Sequence, residues 1–404
     1  MKRFVLFMIL FVCLSIVSNA QESTRWRGLN SSGIYTVDKL LAQWPVDGPQ
    51  VLWSSDHLGQ GFTSPAFANN KIYVNGMVDG QSVLFVLDQN GKELQQFKYG
   101  KEFVESYPGT RSTPTIAGDL AYLLTGNGEL TCLDLKSGKP VWVKNFTTQM
   151  DGTNITWGYT ESLVIDGDKL FCTPGGKTNN VMALNRMTGA TIWSCPGLGE
   201  LSAYCTPQLI KLPARQLLVT HTASHVLGID AVTGKLLWNS EHTNEWAVHP
   251  NTPIYSDGKV FVFSGWGQGG EMLKLSIDGS SVTKEWNIKS FDNRIGGAVL
   301  INGYLYGSGD ADRSWQCIDW KTGERKYSST ELGKGVTIAA NNKLIGYSEK
   351  GELFMADATP SGLKVISKTE VTLGSDQHWA HPVINKGVLY VRHGNVLIAY
   401  KISV

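Results

Sequence analysis

His378, Trp379 and His381 crowd into DQHWAHP (376–382), directly before a short apolar run. Two imidazoles and an indole within four residues suit proton transfer and the holding of a flat ring. His249, Tyr159 and Arg294 precede comparable runs elsewhere in the chain. One chemistry uses this set: β-elimination on a uronic-acid polysaccharide. Arg294 or Arg111 would neutralise the sugar carboxylate, one of His249, His378 and Tyr159 would take the adjacent proton, and another would protonate the leaving oxygen. Tyr107, Trp157, Glu161, Tyr204, Trp246, Asn251, Trp379 and His381 add the flat faces and polar edges that a saccharide-like ligand requires. Each residue alone also suits a polar loop tip or a backbone hydrogen bond, so the expectation rests on their recurrence. No His-x-His or Cys-x-x-Cys spacing marks a metal site.

These residues need a frame, and internal repeats supply it. CLDLKSGKPVW (132–142), ALNRMTGATIW (183–193), GIDAVTGKLLW (228–238) and CIDWKTGERKY (317–327) share one pattern. Each reads as a strand, a Gly-bearing turn and a strand ending in an aromatic. Between them recur alternating runs such as TPTIAGDLAYLL (113–124) and TPIYSDGKVFVF (252–263). Aligned, these runs give anchors at Pro65, Pro114, Leu163, Pro207, Pro253, Ala298, Thr337 and Pro382, spaced by 49, 49, 44, 46, 45, 39 and 45 residues. Eight units of about four strands predict an all-β, eight-bladed β-propeller. The last unit (381–404) lacks its fourth strand, and PQVLWSSD (49–56) stands unpaired before the first anchor, so an N-terminal strand is expected to complete the last blade. Trp142, Trp193 and Trp238 are expected to pack between blades, and Asp134, Asp230 and Asp319 to cap turns.

In a propeller the innermost strand is entered from the usual ligand face. The position four before each anchor reads Gly61, Thr110, Tyr159, Ala203, His249, Arg294, Gly333 and His378, and this ring is expected to face a central funnel.

Residues 1–20 read as a secretory signal: Lys2 and Arg3, an apolar stretch from Phe4 to Val17, then Ser18-Asn19-Ala20 before a cleavage point. A periplasmic or secreted protein follows, with 21–48 as an N-terminal extension and 49–404 as the propeller. Setting aside Lys2 and Arg3 from 36 Lys and Arg leaves 34 bases against 35 acids, a balance that argues against nucleic acid and against polybasic membrane attachment. The apolar stretch is shorter than the ~20 residues that span a bilayer. Of six cysteines Cys13 lies in the leader, and the odd number remaining excludes a pure disulfide scaffold. Cys195 and Cys205 flank a Pro/Gly-bearing loop and are candidates to pair.

The D-x-x-TG-K-x-x-W strands resemble the tryptophan-docking repeats of pyrroloquinoline quinone (PQQ)-type propellers, and WRGLNSSG (26–33) resembles the opening of secreted bacterial members. The likeness implies one of two roles. One is a quinoprotein alcohol or sugar dehydrogenase, with PQQ and Ca²⁺ as cofactors. The other is a non-catalytic scaffold that contacts envelope proteins, like the propeller subunit of the outer-membrane β-barrel assembly machinery. The Cys-Cys pair of the dehydrogenases is absent, and GDADRS (309–314) is a partial calcium-loop pattern without its glycine or terminal Glu. A propeller that binds or processes a polar small molecule or glycan is the third reading, and the residue set favours it.

Overall fold

Alternating apolar and polar residues form short strands because successive side chains point to opposite faces. A Gly-bearing turn then reverses each strand. The protein, seen in a computed structural model, is described over residues 24–404; the expected leader and its cleavage point lie outside the described residues. Its strands form eight sheets, each built on four neighbouring antiparallel strands, as an eight-bladed propeller. The innermost strands begin at Ala66, Thr115, Val164, Gln208, Ile254, Val299, Gly335 and Val383. Seven of these begin one residue after their anchor; the blade 7 strand starts two residues before Thr337. Among the described residues no helix is long and apolar enough to cross a membrane.

Blade 8 is composite. Val51–Ser55 pairs antiparallel with Val396–Lys401 and supplies the outer strand that the C-terminal unit lacks. In five blades the outer strand bulges one residue before its tryptophan, skipping Leu52, Val141, Ile192, Leu237 and Glu285. A bulge re-aims the side chain that follows it. Each indole then lies over the turn of the next blade. Trp142 donates through Nε1 to Arg186 O at 3.0 Å, Trp193 to Ala231 O at 3.1 Å, Trp238 to Gly279 O at 3.2 Å and Trp53 to Gln89 O at 2.9 Å. Gly189 and Gly234, both in left-handed backbone, leave the space: a Cβ there would come within 2.9 Å of Trp142 and 2.7 Å of Trp193. Asp134, Asp230 and Asp319 cap these turns through their carboxylates.

The N-terminal segment threads the axis. Thr24 O accepts from Ile116 N of blade 2 at 2.9 Å, and Ile34–Tyr35 pairs in parallel with the inner strand of blade 7. Between them Arg27 is buried. It donates to Ala298 O (2.7 Å), Thr337 O (3.0 Å), Ser32 O (3.2 Å) and His381 Nδ1 (3.0 Å), tying blades 6, 7 and 8 together. Beyond it Trp44 is buried, with its backbone N–H bonded to Ser367 Oγ of blade 7.

Apolar side chains fill the gaps between adjacent blades, as with Leu124, Cys132, Leu170 and Met182 between blades 2 and 3. Cys195 and Cys205 do not pair; both are free, buried thiols. Cys195 ends the outermost strand of blade 3, while Cys205 precedes the innermost strand of blade 4. Three strand spacings are roughly 14 Å, beyond the ~7 Å Cα reach of a disulfide.

Trp238→Ala should cost roughly 3–5 kcal/mol in denaturant unfolding as a core truncation; a near-neutral value would mean that docking contributes little. Deleting residues 49–56 should lower the melting temperature markedly by unpairing Val396–Lys401, and an unchanged transition would contradict the role of the composite blade.

Candidate functional site

Which side chains meet on the axis depends on the register of the residues entering each inner strand. A cavity of about 440 Å³ opens there, within the usual size of ligand sites. The position three before each anchor reads Phe62, Arg111, Thr160, Tyr204, Pro250, Ile295, Lys334 and Trp379; all but Lys334 line the cavity. The ring expected from the sequence lies one residue earlier, and of it only Arg294 reaches the cavity. In extended backbone a shift of one residue turns a side chain to the opposite face. The side chains that line the cavity thus stand one position after those expected.

That displacement removes five expected residues from the site. His249 is buried between blades 4 and 5, with Nε2 3.0 Å from Ala223 O and its ring stacked on His221 at 5.1 Å. His378 stacks on His393 at 3.7 Å and meets Tyr347 Oη through Nδ1 at 2.5 Å. Tyr159 is buried, its hydroxyl 2.9 Å from Pro174 O and 3.0 Å from Thr153 O, and burial raises its pKa. Glu161 accepts from Thr173 N at 2.8 Å, and burial pushes its carboxyl up to about 7. Asn251 staples blades 5 and 6 by donating to Phe263 O and Asn293 O at 2.9 and 2.7 Å.

Eight expected residues do line the cavity: Tyr107, Arg111, Trp157, Tyr204, Trp246, Arg294, Trp379 and His381. Trp157 sits 6.2 Å from Tyr204 and 6.0 Å from Trp246, forming one wall. Trp379, 5.2 Å from Phe62 and 4.9 Å from Tyr107, forms another. Trp26 also lines the cavity and rests 5.0 Å from His381. Spacing alone did not reveal Trp26, Phe62 or Ile295; the WRG stretch is conspicuous in the sequence, but nothing in it shows that the segment enters the axis.

His381 is fixed in one tautomer. Arg27 can only donate, so Nδ1 carries the lone pair and Nε2–H donates to Ile295 O at 3.0 Å. Burial, then Arg27, lowers its pKa to about 3. It shapes the cavity as a neutral imidazole near pH 7.

Arg294 reaches the cavity within an ionic quartet. It pairs with Asp310 at 3.4 Å and Glu349 at 3.3 Å, and Lys334 pairs with the same two carboxylates. Trp379 Nε1 also donates to Glu349 at 3.2 Å. Two cations and two anions cancel. The carboxylates of GDADRS are therefore engaged: Asp310 here, and Asp312 by Gln316 and Arg325.

Among the described residues, the aromatics held in left-handed backbone all line the funnel. Tyr107, Tyr204 and Trp266 hold φ of +45°, +71° and +58°, and Ala247, beside Trp246, holds +54°. Bulky residues rarely adopt this region, and such strain persists where the surroundings impose it, often at functional sites.

The PQQ and Ca²⁺ implied by the resemblance find no matching donor set. Ca²⁺ takes six to eight oxygens with carboxylates among them, yet no Asp, Glu, Asn or Gln lines the cavity. Among the described residues no group of three or more His, Cys, Asp or Glu is arranged to hold a metal ion.

The family model described as outer membrane protein assembly factor BamB matches residues 33–173 and 80–329. The chain belongs to this PQQ-like propeller family. The assembly factor BamB of Salmonella typhimurium is 27% identical over 139 residues, 33% of this chain and 32% of that protein. An uncharacterized protein of Rickettsia conorii is 20% identical over 356 residues, covering 72% of this chain and 81% of the relative. Among solved structures, BamB from Moraxella catarrhalis superposes with a TM-score of 0.64 at 15% identity, over 87% of this chain and all but 1% of that one (99%). A europium-containing methanol dehydrogenase gives 0.69 at 14% identity, over 93% and 91%. At these identities the likeness to solved structures shows the fold alone.

Buried histidines make this fold acid-sensitive. Burial holds His221 well below its ordinary value, with His249 and His242 adding to the effect, and lowers His249 and His381 to about 3. The unfolded chain protonates each near pH 6.5 while the folded chain does not, so acidification favours unfolding by up to about 1.4 kcal/mol per pH unit each. Glu161 acts oppositely between about 7 and 4.3, because its folded form takes the proton first. His378, lowered to about 4, adds a fourth imidazole, and the raised carboxyls Glu102, Glu129 and Asp292 side with Glu161. The four imidazoles, all neutral in the fold across this range, dominate. The melting temperature should fall steadily from pH 7 to pH 5, and a flat or rising profile would contradict the burial of neutral imidazoles.

Proposed function

We propose that this chain is a binding propeller of the bacterial envelope that holds the ring face of a polar, saccharide-like ligand in its aromatic funnel without chemical turnover. The observation that carries this reading is the wall itself: Tyr107, Tyr204 and Trp266 line one cavity in strained backbone, beside Trp157, Trp246 and Trp379. Indole and phenol rings offer flat apolar faces with polar edges, as a sugar ring requires. Envelope location rests on the leader-like N-terminus and on relatives named as outer membrane assembly factors.

β-Elimination is not carried forward. His249, His378 and Tyr159 lie off the cavity, so no side chain nominated as the base lines it. A dehydrogenase role meets the donor mismatch described above. The second reading is a scaffold contacting envelope proteins, favoured by the family match over residues 33–329.

Calorimetric titration with a panel of neutral and acidic oligosaccharides tests the proposal. Trp157→Ala and Trp379→Ala should each weaken binding at least tenfold while leaving the melting temperature nearly unchanged. Ultraviolet absorbance during incubation should stay flat, whereas a rising signal would restore the lyase. If no saccharide binds and the same substitutions abolish retention of an envelope protein, the scaffold reading replaces this one.

A further inference from the structure

The two arginines of the cavity differ in charge balance. Arg294 belongs to a neutral quartet, as shown above. Arg111 forms no ion pair among the described residues; its hydrogen bonds go to backbone carbonyls of its own loop, Gly109 O at 2.6 Å, Ser106 O at 2.5 Å and Tyr107 O at 2.7 Å. The nearest carboxylates are turned elsewhere: Glu102 is held by Ser82 Oγ and the N–H groups of Phe103 and Gly126, and Glu105 by Val104 N. A guanidinium has five N–H donors, and three are used. Nε–H and one Nη1–H have no acceptor in the described protein. Tyr204 stands nearby, its hydroxyl already accepting from Trp157 N at 3.3 Å and still able to donate. No carboxylate lines the cavity; Glu102 and Glu105 act on the Arg111 charge from outside it, without a direct ion pair.

We infer that the funnel selects a ring that carries a carboxylate, with the anion at the Arg111–Tyr204 edge and the ring against Trp157. This rests on the binding reading above and narrows it from a polar ring to an acidic one. Both Nη2–H donors are bonded to carbonyls, so a carboxylate takes one charge-assisted hydrogen bond from a free N–H of Arg111 and a second from the Tyr204 hydroxyl. The three existing bonds hold the guanidinium in place, so little side-chain freedom is lost on binding.

Two matched pairs test it by calorimetry: a glucuronate-terminated and a glucose-terminated oligosaccharide of equal length, and benzoate with benzyl alcohol. The acid of at least one pair should bind at least tenfold more tightly than its neutral partner, and the stronger pair tells whether a sugar acid or an aromatic acid is preferred. Arg111→Met should erase that preference, whereas removing a cation away from the cavity, with Lys368→Met on an exposed outer strand, should keep it. Because Arg111 also braces its loop, the wild-type protein supplies a second reading. Raising NaCl from 50 to 500 mM should weaken the acid at least fivefold and leave the neutral ligand unaffected. Equal binding of acid and neutral forms overturns the inference while the saccharide reading stands. A preference that survives both Arg111→Met and high salt also overturns it. Binding of none of the four overturns both.

Discussion

The buried guanidinium of Arg27 is the contact on which the centre of this molecule depends. Eight sheets around an axis leave a hole that their own inner strands do not fill, and a charged group placed there without partners would cost several kcal/mol. Arg27 meets that requirement with four acceptors drawn from its own segment and from blades 6, 7 and 8. Burial pulls its pKa down only to about 10, so it stays charged at neutral pH. Two features of the funnel follow: Trp26 is held at the cavity, and His381 is locked in one tautomer.

Around that centre the structure separates the side chains that join blades from those that line the cavity. Tryptophans of the outer strands dock on neighbouring turns, and the imidazoles and carboxamides beside the inner strands satisfy backbone groups between blades. What lines the cavity is a wall of rings and two arginines, one within a balanced ion cluster and one without an ion pair. Strain at Tyr107, Tyr204 and Trp266 marks this wall independently of its composition. A turn lined by Asn and Asp tolerates left-handed backbone easily, whereas an aromatic there must be held by its surroundings.

Membership in the PQQ-like propeller family accounts for the architecture and leaves the chemistry open. An assembly factor and a methanol dehydrogenase both superpose on this chain with similar scores, which is what a fold that hosts unrelated functions produces. The discriminating facts lie in the funnel: aromatic rings where a calcium-bound cofactor would need carboxylates.

Repeat period, blade count and the composite last blade were legible in the sequence, because local signals specify them: a Gly-bearing turn, an aromatic at a fixed offset and a C-terminal unit one strand short. So was the identity of most residues near the funnel mouth. What the chain alone did not reveal is which face each one presents. Side chains alternate at every residue of an extended strand, so placing the ring one position early moved His249, Tyr159 and His378 from the cavity into the gaps between blades. Only tertiary structure decided that register, and only it brought residues 24–35 into the axis, because the contacts of Arg27 join positions about 270 to 350 apart in sequence. Charge balance followed the same rule: Arg111 and Arg294 are alike in the sequence, and their partners in space give one two ion pairs and the other none.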